Sequence, residues 1–159
     1  MKNPVTIAVD PVNTAAINVL HQYHVVQAKD RYETVKRIAD INPNIYGIVF
    51  CRTRRETKVV SNRLMVDGYN ADALHGDLSQ SQRDEVMNRF RKSQLQLLVA
   101  TDVAARGLDV NNLSHIINYN LPDDPEIYTH RSGRTGRAGR TGISIAIVHS
   151  RELRRLKAV

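Results

Sequence analysis

Cysteine is almost missing from this 159-residue chain. Cys51 stands alone, so neither an internal disulfide nor a thiolate-ligated metal cage can form. The six histidines, at 21, 24, 75, 115, 130 and 149, are scattered along the chain. His21 and His24 differ in strand parity and would face opposite ways, so no metal site is expected. Tryptophan is absent, and the six Tyr and two Phe fall mostly at core spacing. A ladder of exposed rings for stacking bases is therefore not expected. No apolar run approaches the roughly 20 residues that span a bilayer. The amino-terminal "MKNPVTIAVD" has too short an apolar run for a signal peptide. A cytoplasmic protein with no membrane association is the expectation. Internal repeats, low-complexity linkers and composition breaks are missing too, which points to one domain over residues 1–159.

What the chain has in excess is arginine. The net charge is +7, and of 23 cationic side chains only six are lysine. Guanidinium groups are favoured where a planar fork meets phosphate or carboxylate, so a polyanionic partner fits. Charged content of 25% and apolar content of 42% are those of an ordinary globular protein.

Apolar runs alternate with amphipathic stretches. "VTIAV" (5–9), "LHQYHVVQ" (20–27), "YGIVFC" (46–51), "NADAL" (70–74), "QLLVAT" (96–101), "HIINY" (115–119) and "GISIAIVHS" (142–150) read as strands. Between them, "KDRYETVKRIADI" reads as a helix opened by an Asp30–Glu33 capping box. A second box, Thr53–Glu56, opens a helix that stops at Gly68. Residues 79–92 form a helix with Val86, Met87 and Phe90 inward. Asp124 and Pro125 start a short helix ending at Gly133, and "RELRRLKAV" looks like the start of a last one. Strands this continuously apolar, separated by helices, imply an α/β fold: a parallel sheet sandwiched between helices on both faces. In such sheets ligands sit beyond the strands' carboxyl ends. "CRTRRET", "HGDLSQ" and "TDVAARGLD" all follow strands, so they are expected at one edge, with "HRSGRTGR" entering beside them.

The tract "HRSGRTGRAGR" (130–140) places Arg131, Arg134, Arg137 and Arg140 three residues apart. It could be a floppy Arg/Gly segment or a fixed loop. Its flanks, a capped helix and an apolar strand, favour the fixed loop, in which Arg134 and Arg137 present two forks at one phosphoryl group. The rest of a nucleotide site is not here. None of the six lysines follows a glycine, as a P-loop demands, and no acidic pair follows an apolar strand to hold magnesium. The other half must come from another domain.

"IVFCRTR", "HGDLSQSQR", "LVATDVAARGLD" and "HRSGRTGRAGR" resemble, in order and spacing, the carboxyl-half motifs of DEAD-box ATP-dependent RNA helicases. The match looks like their complete second RecA-like domain and covers nearly residues 1–150. Two positions depart from it: Arg52 stands where many relatives carry asparagine, and Ser132 where isoleucine is common. The resemblance implies a RecA-like parallel sheet with helices on both faces, residues 1–20 being interdomain linker and first strand. It also implies an amino-terminal RecA-like domain that brings the P-loop and holds Mg2+.

In that family ATP binds between the two domains and RNA lies across both. Carried over by motif, the resemblance implies that Arg134 and Arg137 act on the ATP γ-phosphate as catalytic arginine fingers. Asp109 and Gly107 would complete the ATP site from "ARGLD". His130 and Arg131 would link the ATP edge to the other domain. Thr53, Gly76, Arg83, Thr101 and Arg106 would contact the RNA backbone. Other readings stay open: Asp109 as a turn-capping carboxylate, His130 as a last-turn residue favouring the helix dipole, and Arg106 as an ion pair with Asp102. Arg83 sits in the first turns of its helix, where a cation needs a polyanion to justify it. Arg89, Arg91 and Lys92 read equally as a solvated basic face. The isolated chain is expected to be monomeric and inactive. A stand-alone RNA-binding module and a DNA-directed superfamily-2 helicase are the alternative functions.

Overall fold

Short apolar runs bounded by polar turns become strands here because only a sheet covered on both sides buries every residue of such a run. The computed structural model describes residues 18–108, 110, 112–136 and 141–153, and the backbone of 5–9. The elements are β1 (Val5–Val9), β2 (Val19–Val25), α1 (Arg31–Ile41), β3 (Gly47–Phe50), α2 (Arg54–Val66), β4 (Ala71–Leu74), α3 (Gln80–Arg91), β5 (Leu97–Ala100), α4 (Asp102–Ala105), β6 (His115–Asn118), α5 (Pro125–Ser132) and β7 (Gly142–Val148). The sheet order is β1-β2-β7-β6-β3-β5-β4. Six strands are parallel, as expected, with Gly47 in register with both Leu97 and His115.

The exception is β1, which pairs antiparallel with β2, Ile7 opposite Tyr23. Nine residues separate the two strands, too few for the crossover of a dozen or more that a parallel neighbour needs. The parallel sheet expected from the sequence is thus present in six strands, with one antiparallel strand added at its edge. Of residues 1–20, expected to be linker and first strand, 1–4 and 10–17 lie outside the described residues, as does the end of the expected last helix.

Strand parity divides the core. Val49, Leu97, Val99, Ile117 and Ile145 pack under α1 and α2, against Tyr32, Val35, Ile38, Val60 and Leu64. Ile48, Phe50, Leu98, Ala100 and Ile116 pack under α3 and α4, against Val86, Met87 and Phe90. On that same face α5 lays Tyr128 against Ala146 and Val148. Among the described residues no helix is long and apolar enough to cross a membrane.

Helix starts depart from the sequence reading at one point. Asp30 makes no side-chain cap, because a 3₁₀ turn over Ala28–Asp30 leaves it at φ −99°, ψ 1°, away from the extended geometry a cap requires. Thr53 caps α2, accepting from the Glu56 amide at 3.1 Å. Ser79 and Gln82 form a full capping box on α3. Asp124 caps α5 with Pro125 at its start.

Candidate functional site

The expected loops gather at the carboxyl ends of three adjacent strands, β3, β5 and β4. Thr53 is exposed there, at the start of α2. Beside it the exposed Gly76 leaves room against the Arg54 side chain, 3.7 Å from where a Cβ would sit. Asp77 gathers Lys58 at 2.7 Å and Arg54 at 2.8 Å. The Lys58 ammonium, bonded to it, is the leading reason its carboxyl lies below the ordinary range. Next to it, burial lowers His75, whose Nδ1 accepts from the Asp77 amide at 3.2 Å. Thr53, Gly76, Arg83 and Thr101 are therefore brought to one end of the sheet, and Arg106 follows directly after α4.

Two of them already have internal work. Thr101, 8% exposed, caps α4 by accepting from the Ala104 amide at 3.3 Å. Arg83 donates Nη2 to the Ala104 carbonyl at 3.0 Å. A carbonyl at the end of α4, not only a polyanion, therefore justifies a cation at this place on α3. Around them Val103, 76% exposed, Arg106 and Gly107 face solvent, the chain turning at Gly107 with φ +78°. Arg89 is paired with Asp72 at 2.8 Å, so it is more than a solvated charge.

The arginine tract lies elsewhere. From the carboxyl end of β6 the chain descends through α5 to the amino end of β7. Thr135 bridges to Leu113 just ahead of β6, and Gly142 stacks on Thr135 and Gly136. Arg134 donates Nη1 to the Leu108 carbonyl at 2.6 Å. The expectation of one shared edge is corrected: Arg134 sits at the amino ends of the strands and the Thr101 group at the carboxyl ends. Strands of four to seven residues at about 3.3 Å per residue set the two roughly 13 to 23 Å apart. The segment Thr101–Leu108 runs from one end to the other. Asp109 and Arg137 lie outside the described residues.

Arg131 requires a second correction. Expected at an interdomain contact, it is 4% exposed. Its Nε and Nη2 donate to Asp102 Oδ1 and Oδ2, both at 2.7 Å. Nη1 donates to Asn118 Oδ1 at 3.1 Å and to the Asn120 carbonyl at 2.9 Å. The guanidinium also lies over the Phe50 ring, 5.0 Å from its centre. Because Arg131 takes both oxygens of Asp102, the suggested Asp102–Arg106 pair is not what the structure contains. His130 is exposed in the last turn of α5 and free to face outward.

The two departures from the family pattern also find places. Arg52 donates Nη2 to the Leu121 carbonyl at 3.0 Å and lies 3.6 Å from Asp123. Ser132, which looked inconsequential in the sequence, is buried and bonded to Ser144 at 2.8 Å beneath α5. Tyr128 lies 3.5 Å from Ser144 and shares a 2.7 Å bond with His21. The sequence reading missed this group, and it named Asp102 only as a partner for Arg106 and not for Arg131. A serine inside the apolar run "GISIAIV" was the one visible signal.

Among the described residues no group of three or more His, Cys, Asp or Glu could hold a metal. Residues 30–139 match the helicase conserved C-terminal domain family. A probable ATP-dependent RNA helicase of Methanocaldococcus jannaschii is 46% identical over 142 residues, covering 89% of this chain and 38% of that protein. The solved C-terminal domain of the DEAD-box protein Dbp5 is 33% identical with a TM-score of 0.81, covering 92% of this chain and 84% of that one. Saccharomyces cerevisiae Dbp5, solved bound to RNA and ADP BeF3, is 31% identical with a TM-score of 0.80, covering 96% and 39%. The chain spans about a third of the length of the curated relatives it matches.

Proposed function

The chain belongs to the helicase conserved C-terminal domain family of the DEAD-box RNA helicases, and from that membership we propose that it supplies one half of an ATP-hydrolysing, RNA-remodelling enzyme. The other half, an amino-terminal RecA-like domain, brings the P-loop and holds Mg2+. ATP binds between the two. Arg134 and Arg137 then stabilise the charge that develops on the γ-phosphoryl group as water attacks it. A finger of this kind is worth about 10³ to 10⁵ in rate. Gly107 and Asp109 complete the nucleotide side of the loop.

At the carboxyl ends of the strands Thr53, Gly76, Arg83 and Thr101 bind the sugar-phosphate backbone, joined by Arg106 from farther along the same segment. The amino terminus of the twelve-residue α3 points its free amides there and favours phosphate. Contacts of this kind carry no sequence information, so binding is general and salt-sensitive. Closure of the two domains on ATP and RNA bends one strand and separates a short duplex, and hydrolysis releases it. The yeast relative was solved with RNA and a nucleotide analogue together, in keeping with this reading.

The observation that carries the proposal is the separation itself. One continuous segment, Thr101–Leu108, has a cationic, helix-capped surface at its start and the anchored Arg134 at its end. In the full-length protein, Arg134→Ala and Arg137→Ala each lower RNA-stimulated ATP hydrolysis by about 10³-fold or more. Undiminished hydrolysis in both variants would overturn the assignment. RNA stimulates this activity more than DNA of equal length, and equal stimulation would favour a DNA-directed enzyme.

A further inference from the structure

Resting on the function proposed above, we infer that Arg131 is a positioning residue that couples RNA engagement to the placement of the Arg134 finger. The structure contains a closed circuit. Asp102, the first residue of α4, follows the Thr101 cap directly and keeps about a third of its side chain exposed at the RNA end. Its two oxygens accept the fork of the buried Arg131 at 2.7 Å each. The carbonyl of Arg131 accepts in turn from the amides of Gly133 and, at 3.2 Å, Arg134. Arg134 then returns through its own guanidinium to the Leu108 carbonyl, at the far end of the segment that began at Thr101. Every step is either a hydrogen bond or the chain itself.

The geometry makes the circuit a lever. Arg131 and Arg134 stand three residues apart where α5 ends, so displacing the first moves the peptide from which the second hangs. The bonds to Asn118 and Asn120 and the Phe50 ring fix Arg131 against the carboxyl ends of β6 and β3. Among the described residues they leave Asp102 as its one charged partner. A phosphate taken up over Thr101–Arg106 bears on α4, whose four residues have little stiffness of their own. The fork passes that displacement to α5. A lysine in place of Arg131 keeps the charge and loses the bidentate link.

A brace that only stabilises the domain would leave the mutual dependence of the two ligands intact. The test is therefore linkage in the full-length protein: the factor by which a saturating non-hydrolysable ATP analogue tightens binding of an oligouridylate strand. Couplings of this kind are about 5- to 150-fold. In Asp102→Asn and in Arg131→Lys the factor falls below about threefold, while each variant stays folded by circular dichroism at the assay temperature. Should Asp102→Asn fail to fold, Arg131→Lys decides alone, since it keeps the buried cation. A folded Arg131→Lys protein with the full wild-type factor overturns the inference and leaves the proposed function standing. Arg134→Ala and Arg137→Ala are assayed alongside; if Arg134→Ala alone hydrolyses ATP at the wild-type rate this inference fails, and if both do the functional reading fails with it.

Discussion

Gly142→Ala and Gly133→Ala, two one-methyl changes at either end of the arginine tract, should act in opposite directions. A Cβ on Gly142 would meet Thr135 Oγ1 at 2.1 Å, the Gly136 amide nitrogen at 2.5 Å and Thr135 Cγ2 at 2.7 Å. Rotating Thr135 away cannot relieve the clash with backbone, so the loop or β7 must shift by about 1 Å, at an overpacking cost of about 1 to 3 kcal/mol. The rotation also breaks the bond from the buried Thr135 hydroxyl to the Leu113 carbonyl, adding about 1 to 3 kcal/mol for unpaired buried groups. At roughly 2 to 4 °C per kcal/mol for a chain of this size, the midpoint falls by about 4 to 24 °C. Gly133 has φ −65°, and its nearest neighbour to an added Cβ is the Thr129 carbonyl at 3.4 Å. Alanine fits there and restricts the unfolded chain, a gain of about 0.4 to 1 kcal/mol. Thermal unfolding of both variants by circular dichroism is the assay. If Gly142→Ala melts within about 2 °C of the parent, or Gly133→Ala falls as far as Gly142→Ala, the tract does not pack on β7 as described.

Other consequences are open to direct measurement. Ser79→Ala removes a working capping box and costs about 0.5 to 2 kcal/mol in urea unfolding, whereas Asp30→Ala, which removes no cap, stays within about 0.5 kcal/mol. Equal losses would contradict the cap geometry. Arg83→Ala frees the Ala104 carbonyl and removes the phosphate contact proposed for this side chain. It should lower the domain's stability by about 1 to 3 kcal/mol and the salt slope of RNA binding in the full-length protein by about one ion. An unchanged slope would confine Arg83 to bracing α4. Acid should weaken the fold through its histidines. Burial, the leading cause at each, holds His21, His24, His75 and His115 below the ordinary imidazole range. Above about pH 7 neither state is protonated there and nothing is lost. As pH falls through about 6.5 the unfolded chain takes up protons that the folded one refuses, and stability drops by up to about 1.4 kcal/mol per pH unit per histidine. Asp67 and Asp77, both held below the ordinary carboxylate range, stay charged in that window. A urea midpoint constant between about pH 7.5 and 5.5 would refute this.

The alternation of apolar runs and capped helices was enough to read the layers, because each run's parity and length are local properties. β3, β5, β6 and α3 lie within a residue or two of where their patterns put them. Arg134 shows the limit. Its place in an arginine tract held between a capped helix and an apolar strand was legible in the sequence, but its distance from Thr101 depends on α5 running antiparallel to β6. Arg131 shows the same limit more sharply. In the sequence it is one of four equally spaced arginines, and nothing in that spacing distinguishes the one that is buried.

What the chain determines by itself is therefore everything that nearest neighbours along it control: the strand and helix pattern, most of the helix caps, the arginine excess and the motifs that mark the family. What only the tertiary structure decided is which charges are available. Asp102 and Arg131 are 29 residues apart in sequence yet share two 2.7 Å bonds, while Arg134 is held to the Leu108 carbonyl 26 residues before it. The reason is that a charge's partner is set by distance through space and by the water excluded around it. Both follow from how β6, β7 and α5 stack, not from spacing along the chain.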